Sequence, residues 1–415
     1  MILLVIGVPV GVGLGLASLV YVILAGLPDV VVLHRMVGGV DSFPLLAIPF
    51  FILAGHLMNS GGITERLFAF ARSLVGWMPG GLAHVNVGAS VLFAGMSGAA
   101  VADAGGLGNV EIKAMRGAGY DVDFAVGVTA ASSTIGPIIP PSLPMIVYGV
   151  MASASIGQLF IAGLVPGLLM ALSLMVMVMW FSWRRGYPRD EGFSFAHVWQ
   201  NFCLALLPLL TPALIIGGIT TGAFTPTEAA VAAVAWTLFL GVIVYRSLTW
   251  RHILRVMFDT LQMTGAILLI IASAAIFAWI LISNQVAAHL SDAILTVSDN
   301  PSMVMLMILL IVLILGLFME TVAAITILVP VLLPVATSVG IDPVHLGVVV
   351  VLALMIGLLT PPVGLVLYVL AAVSGVSFDR CVRATAPFLI PLVVVLLLVA
   401  FVPQLSLALP EALAR

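Results

Sequence analysis

Asp103 and Glu320 each sit inside a long apolar stretch, "FAGMSGAAVADAGG" (93–106) and "GLFMETVAAITILVPVLLP" (316–334). Each stretch is followed by another in which prolines and hydroxyls crowd together, "SSTIGPIIPPSLP" (132–144) and "MIGLLTPPVG" (355–364). Proline lacks the backbone donor and its ring clashes with the preceding turn, so Pro137, Pro140, Pro141 and Pro144 cannot share one uninterrupted helix. In hydrocarbon, the amides and carbonyls freed by a break persist only where protein, water, ions or a polar substrate satisfies them. Carbonyl and hydroxyl oxygens are hard ligands suited to an alkali cation such as Na⁺, while half-helix N-termini offer amides and a positive dipole end to a carboxylate. The chemistry is that of holding an anion together with cations. A single proline of this kind is only a kink; recurrence at paired positions is what marks a site.

An acid at membrane depth is a functional candidate by default. The plainer readings are that Asp103 hydrogen-bonds backbone near its turn and that Glu320 pairs with the Thr321 hydroxyl. Glu228, in "FTPTEAA", reads as a helix start: Thr225 or Thr227 caps, Pro226 suits the first turn, and the acid complements the dipole. The seven histidines show no metal-binding spacing and fall mostly near expected interfaces, as do Trp77, Trp180, Trp183, Trp199 and Trp250. Cys203 and Cys381 form no disulfide or metal pattern.

The elements that must position these residues are membrane helices. The 415 residues are 63% hydrophobic and only 7% charged, with a mean hydropathy of +1.30, far from soluble composition. A net charge of −3 with scattered Lys and Arg points away from a nucleic-acid partner. Spans are expected at about 2–25, 44–58, 157–183, 201–219, 227–245, 257–283 and 385–403, with longer interrupted regions at 84–110, 122–152, 303–335 and 343–372. Segments 61–77 and 284–299 have a polar face and suit helices along the interface. The glycine-rich first span has no preceding strand, so its glycines serve helix packing and not a dinucleotide.

Placing the loop at 184–192 in the cytoplasm puts twelve of the fourteen Lys and Arg on that side, provided 84–110 and 303–335 enter and leave by the same face. Those two regions are therefore expected to be re-entrant hairpins, with the N-terminus inside and the C-terminus outside. A shift of 221 residues superposes Gly95 on Gly316, Gly119 on Gly340, Asp121 on Asp342, Pro140 and Pro141 on Pro361 and Pro362, and Pro166 on Pro387. The two copies begin on opposite sides, the inverted repeat with broken helices that secondary transporters use. The expected fold is an all-α polytopic membrane protein with two re-entrant hairpins and two unwound transmembrane helices. An intramembrane enzyme working through Asp103 or Glu320 lacks a converging triad, and a channel does not need paired breaks.

The segments at 47–67, 95–108 ("GMSGAAVADAGGLG"), 132–149, 316–335 and 357–369 together resemble the large membrane subunit of TRAP transporters, the DctM-like family. The resemblance implies an elevator-type transporter that carries an organic acid, such as a C4-dicarboxylate or a sialic acid, with Na⁺ and no cofactor. It implies a periplasmic substrate-binding protein and a small four-span membrane subunit as partners, and an inner-membrane location. It divides the chain into a first scaffold and arm region (1–83), a first transport half (84–156), scaffold spans with a second arm (157–302), a second transport half (303–376) and a C-terminal scaffold span (377–415). Cation ligands are expected from Ser97, Gly98, Ser133, Thr134, Gly136, Glu320, Thr321, Gly357 and Thr360. Substrate contacts are expected from Ser97, Ser132, Ser133, Pro141, Thr360, Pro361 and Pro362, with Asp103 structural or functional. His56 and Glu320 depart from the family pattern, which commonly has an acidic or other polar residue and a shorter Asp there. A stand-alone cation-coupled anion transporter of related architecture is the alternative.

Overall fold

The computed structural model describes residues 8–189 and 192–413, and every regular element among them is helical. Helices α1 (Val10–Leu24) and α2 (Val30–Val40) precede a 3-10 turn, Phe43–Leu46, that runs into α3 (Ala47–Ser60) and α4 (Ile63–Val75). The first repeat continues with α5 (Gly81–Ser97), α6 (Ala100–Gly117), α7 (Val122–Ser133), α8 (Leu143–Ala152) and α9 (Ile156–Arg185). Two connecting helices follow, α10 (Phe195–Thr220) and α11 (Pro226–Leu238), the latter extended by a π-helical turn. The second repeat comprises α12 (Trp250–Ser283), α13 (Val286–Val297), α14 (Pro301–Gly316), α15 (Thr321–Ser338), α16 (Pro343–Gly357), α17 (Leu365–Ser374) and α18 (Phe378–Phe401), and α19 (Gln404–Leu413) closes the chain. Among the described residues, seven helices are long and apolar enough to cross a membrane.

The repeat seen in sequence is a repeat in space. Helix α15 is α6 displaced by the same 221 residues, and α7 and α16 each begin directly after the matched acids Asp121 and Asp342. Gly119 and Gly340, both with φ above +80°, make the preceding turns, which a side chain would strain. The Pro140–Pro141 and Pro361–Pro362 peptides are both cis. The copies run in opposite directions. The Tyr148 hydroxyl, in the middle of α8, donates to the carbonyl of Pro343 at the start of α16 (2.6 Å), while Arg116, near the end of α6, reaches the Ser374 carbonyl at the end of α17 (3.5 Å).

The copies also interlock: α6 packs on α17, and α15 packs on α8. Because lipid tails are as apolar as leucine, such packing relies on small residues that let backbones approach. A Cβ on Gly127 would stand 2.3 Å from the Ala384 carbonyl oxygen, and one on Gly163 would stand 2.2 Å from that of Ile138. These contacts seat α18 on α7 and α9 on the first break. In α4, buried Ile63, Leu67, Phe70 and Ala71 fall on one helical face, as expected for 61–77; α13 occupies the 284–299 segment.

Three features differ from the sequence expectation. Helices α2 and α19 were not expected, because Asp29, His34 and Arg35, and Gln404 and Glu411, dilute the apolar signal there. The second interruption is confined to residues 317–320, and Pro330 and Pro334 lie inside a continuous α15, since packed neighbours can absorb a membrane proline. His84 and His345 are fully buried in place of lying at an interface; His345 bridges the Ser406 hydroxyl (2.8 Å) and the Ala400 carbonyl (3.3 Å), fastening α19 to α16.

Candidate functional site

Each helical pair α5–α6 and α14–α15 turns back on itself, and each turn meets the break of its own repeat. The first pair has both outer ends at one carbonyl: the Pro188 oxygen accepts from the Gly80 amide (3.2 Å) and from the Tyr120 hydroxyl (3.1 Å). Its turn lies far from there. A Cβ on Gly98, which has φ +57°, would stand 3.0 Å from the Pro141 carbonyl oxygen and 3.3 Å from the Leu143 amide. In the second pair, the Val363 amide donates to the Leu317 carbonyl (3.3 Å), and the backbones of Gly316 and Gly357 touch.

Both turns and parts of both breaks border one cavity of about 530 Å³, within the size range of small-molecule sites. Gly98 through Ala102 form one wall, Pro137, Leu143 and Pro144 a second, and Glu320, Thr321 and Leu358 a third. Met263, Ile267 and Ile270 of α12 close it from outside the two hairpins.

Two opposed helix starts give this cavity its polarity. Helix α6 begins at Ala100 after Ala99, which supplies no side-chain cap, so the first amides of α6 have no intrahelical acceptor. They lie in the cavity wall with the positive end of the α6 dipole, a ready site for an anion. Helix α15 is the reverse case. Glu320 is its N-cap, and its Oε2 accepts from the amides of Val322 (3.0 Å) and Ala323 (3.2 Å). The expected pairing of Glu320 with the Thr321 hydroxyl is thereby corrected: the carboxylate bonds backbone. It still borders the cavity, where it can attract a cation.

The expected ligands divide by position. Gly98, Glu320 and Thr321 line the cavity. Ser132, Ser133, Thr134, Gly136 and Pro141 are buried beside it in the first break. Ser133 donates to the Ala130 carbonyl (2.9 Å) and Thr134 to that of Ala131 (2.6 Å); Thr360 does the same to Ile356 (2.8 Å). A hydroxyl that donates backward keeps oxygen lone pairs for a cation. Gly357 is buried against Gly316, Thr360 is half-buried, and Pro361 and Pro362 are exposed. The Ser97 side chain lies outside the described residues. Asp103 is buried in the first turn of α6, and neither carboxylate oxygen has a hydrogen-bond partner, so the reading that it bonds nearby backbone is corrected. Glu228 does cap: it forms a reciprocal box with Thr225 at the start of α11.

Sequence reasoning missed Asn86. It lies buried on α5, donates to the Thr129 hydroxyl (2.7 Å) and accepts from Ser132 (2.5 Å), tying the first hairpin to the last turn of α7. An amide inside an apolar run was the available signal.

The sequence profile of the tripartite ATP-independent periplasmic transporter DctM component matches residues 1–405. The chain is 50% identical over 410 residues to the sialic acid TRAP transporter large permease protein SiaM of Vibrio cholerae, covering 99% of this chain and 96% of that one. It is 45% identical over 414 residues to the sialic acid TRAP transporter permease protein SiaT of Haemophilus influenzae, covering all of this chain and 67% of that one. It is 39% identical to the C4-dicarboxylate large permease protein DctM of Pseudomonas aeruginosa over 371 residues, with 89% and 87% covered. The crystal structure of the Alcanivorax borkumensis YdaH transporter shares the fold, with a TM-score of 0.62, 15% identity, and 92% of this chain and 88% of that one aligned. The chain belongs to the DctM family, and is thus a multi-pass inner-membrane permease of a tripartite transporter and not an enzyme.

Proposed function

We propose that the chain is the large permease subunit of a Na⁺-coupled importer of an organic acid, with sialic acid the first candidate because the relatives at 50% and 45% identity bear that name. The observation that carries this reading is the uncapped start of α6 facing capped, acidic Glu320 across one cavity. The substrate carboxylate docks on the α6 amides. Cations lodge where each hairpin turn meets its break, with hydroxyl oxygens of Ser133, Thr134 and Thr360 and backbone oxygens as ligands. The substrate carboxylate and Glu320 repel each other at low dielectric, so cations must enter with the substrate.

The hairpins and broken helices (84–156 and 303–376) form a body that moves against the remaining spans as an elevator, and each hairpin is re-entrant. Helices α9 and α18 pack on α7 and α16, so in this reading they travel with that body and not with the scaffold spans expected at 157–302 and 377–415. The N-terminus lies in the cytoplasm and the C-terminus in the periplasm. A small membrane subunit and a periplasmic binding protein complete the system, the binding protein delivering substrate.

The test is uptake by the reconstituted three-part complex under an inward Na⁺ gradient. Accumulation of sialic acid that stops when Na⁺ is replaced by K⁺, at fixed proton gradient, is the expected result. Equal accumulation in K⁺ refutes the coupling.

A further inference from the structure

A second, smaller cavity of about 60 Å³ lies behind the first, between α3, α5, α6 and α12. It is bordered by His56, Asn59, Asp103 and Gly106, and it shares Ala102 and Met263 with the larger cavity. Asp103 is 4% exposed, and both of its carboxylate oxygens lack a hydrogen-bond partner. Ser90 of α5 flanks it outside hydrogen-bond geometry. Glu111, about two turns further along α6, is also buried, and its Oε1 is unpartnered. A buried carboxylate that borders this cavity with no basic side chain bonded to it makes the cavity attractive to a cation.

We propose that the Asp103 cavity binds one Na⁺, with the carboxylate as its charged ligand and water filling the remaining space. The volume admits an ion with a water, since a single water needs only about 10–15 Å³ of such space. Asn59 orients the wall: its Oδ1 accepts from Thr64 (3.3 Å), and its Nδ2 would be 3.7 Å from a Cβ on Gly106. His56 sits at the Thr260 hydroxyl (Nδ1 to Oγ1, 3.4 Å) on the α12 side. The site has a coupling role that rests on the proposed transport reading. Asp103 belongs to the first turn of the same helix whose uncapped amides face the substrate cavity. A bare Asp103 opposes a carboxylate arriving there, and a bound Na⁺ removes that opposition. The site also spans α6 of the moving body and α3 and α12 outside it, so it is assembled by their contact.

The test is equilibrium binding of radiolabelled Na⁺ to the purified full-length chain. The isosteric Asp103→Asn variant is expected to bind one fewer Na⁺ per chain than the wild type. Gly106→Ala makes only an ordinary contact, so it folds while filling part of the cavity; it is expected to weaken one Na⁺ by about tenfold or more. Unchanged binding in both variants overturns the proposal, and if the wild type still shows Na⁺-driven uptake the transport reading stands without it. A wild type that binds no Na⁺ and imports substrate equally in K⁺ overturns both.

Discussion

Gly357 and Gly316 touch so closely that a Cβ on Gly357 would lie 2.7 Å from the carbonyl carbon and oxygen of Gly316. The second hairpin turn is therefore held on the second break by backbone against backbone. Rigid backbone cannot yield as a side chain can, so Gly357→Ala forces turn and break apart. Overpacking of this kind costs about 1–3 kcal/mol. Uptake by Gly357→Ala complex is expected to fall at least tenfold at normal membrane expression, whereas Gly316→Ala, which meets the flexible Leu354 side chain at 3.1 Å, should lose much less. Equal loss in the two variants would contradict this contact's role.

Ala99→Asp tests the anion site at α6. An aspartate at that N-cap should stabilise the helix by about 0.5–2 kcal/mol while placing a resident carboxylate on the amides assigned to the substrate. A higher melting temperature together with abolished uptake is the expected combination. Retained uptake would show that the substrate carboxylate docks elsewhere.

Glu320→Gln separates the capping role from the charge. The amide oxygen of Gln can still accept from Val322 and Ala323, so the thermal midpoint should stay close to wild type. Loss of the charge should weaken Na⁺ affinity, read as a rightward shift of the Na⁺ activation curve for uptake. Glu320→Ala should show the same shift plus a stability loss of about 1 kcal/mol.

Asn86→Leu removes the donor to the buried Thr129 hydroxyl and leaves Ser132 only its longer bond to the Thr129 carbonyl (3.2 Å). The expected destabilisation is about 1–3 kcal/mol, measured as a lower melting temperature in detergent. By contrast, the Arg380–Asp123 ion pair is short at 2.6 Å, but its side chains are 58% and 43% exposed. Solvent screening reduces such a pair to about 0–1 kcal/mol, so Arg380→Gln should move the midpoint far less than Asn86→Leu.

The fold was legible where chemistry repeats in order. The 221-residue shift identified Gly119 with Gly340 and the two Pro-Pro pairs, and the same pairs occupy equivalent turns and breaks. The breaks themselves were legible because proline cannot donate a backbone hydrogen bond. The extent of the second interruption was not legible, since Pro330 and Pro334 lie inside a continuous helix and whether a proline interrupts a membrane helix depends on neighbours that a linear sequence does not display. Thr225 and Glu228 were legible because a capping box is local, needing only three residues of chain.

The sequence by itself determined the solvent, the repeated elements, the Pro-Pro breaks and the family. Those follow from apolar length, backbone chemistry and ordered motifs, all of which are local or periodic. Tertiary structure decided that an open helix start and a closed one share a cavity. Ala99 and Glu320 occupy matching turns, yet one leaves its amides free and the other covers them, and only folding sets these two starts on one cavity. It also decided that Asp103 would be enclosed without a partner. An unpaired carboxylate is a property of everything that surrounds it, contributed here by α3, α5, α6 and α12 from distant parts of the chain.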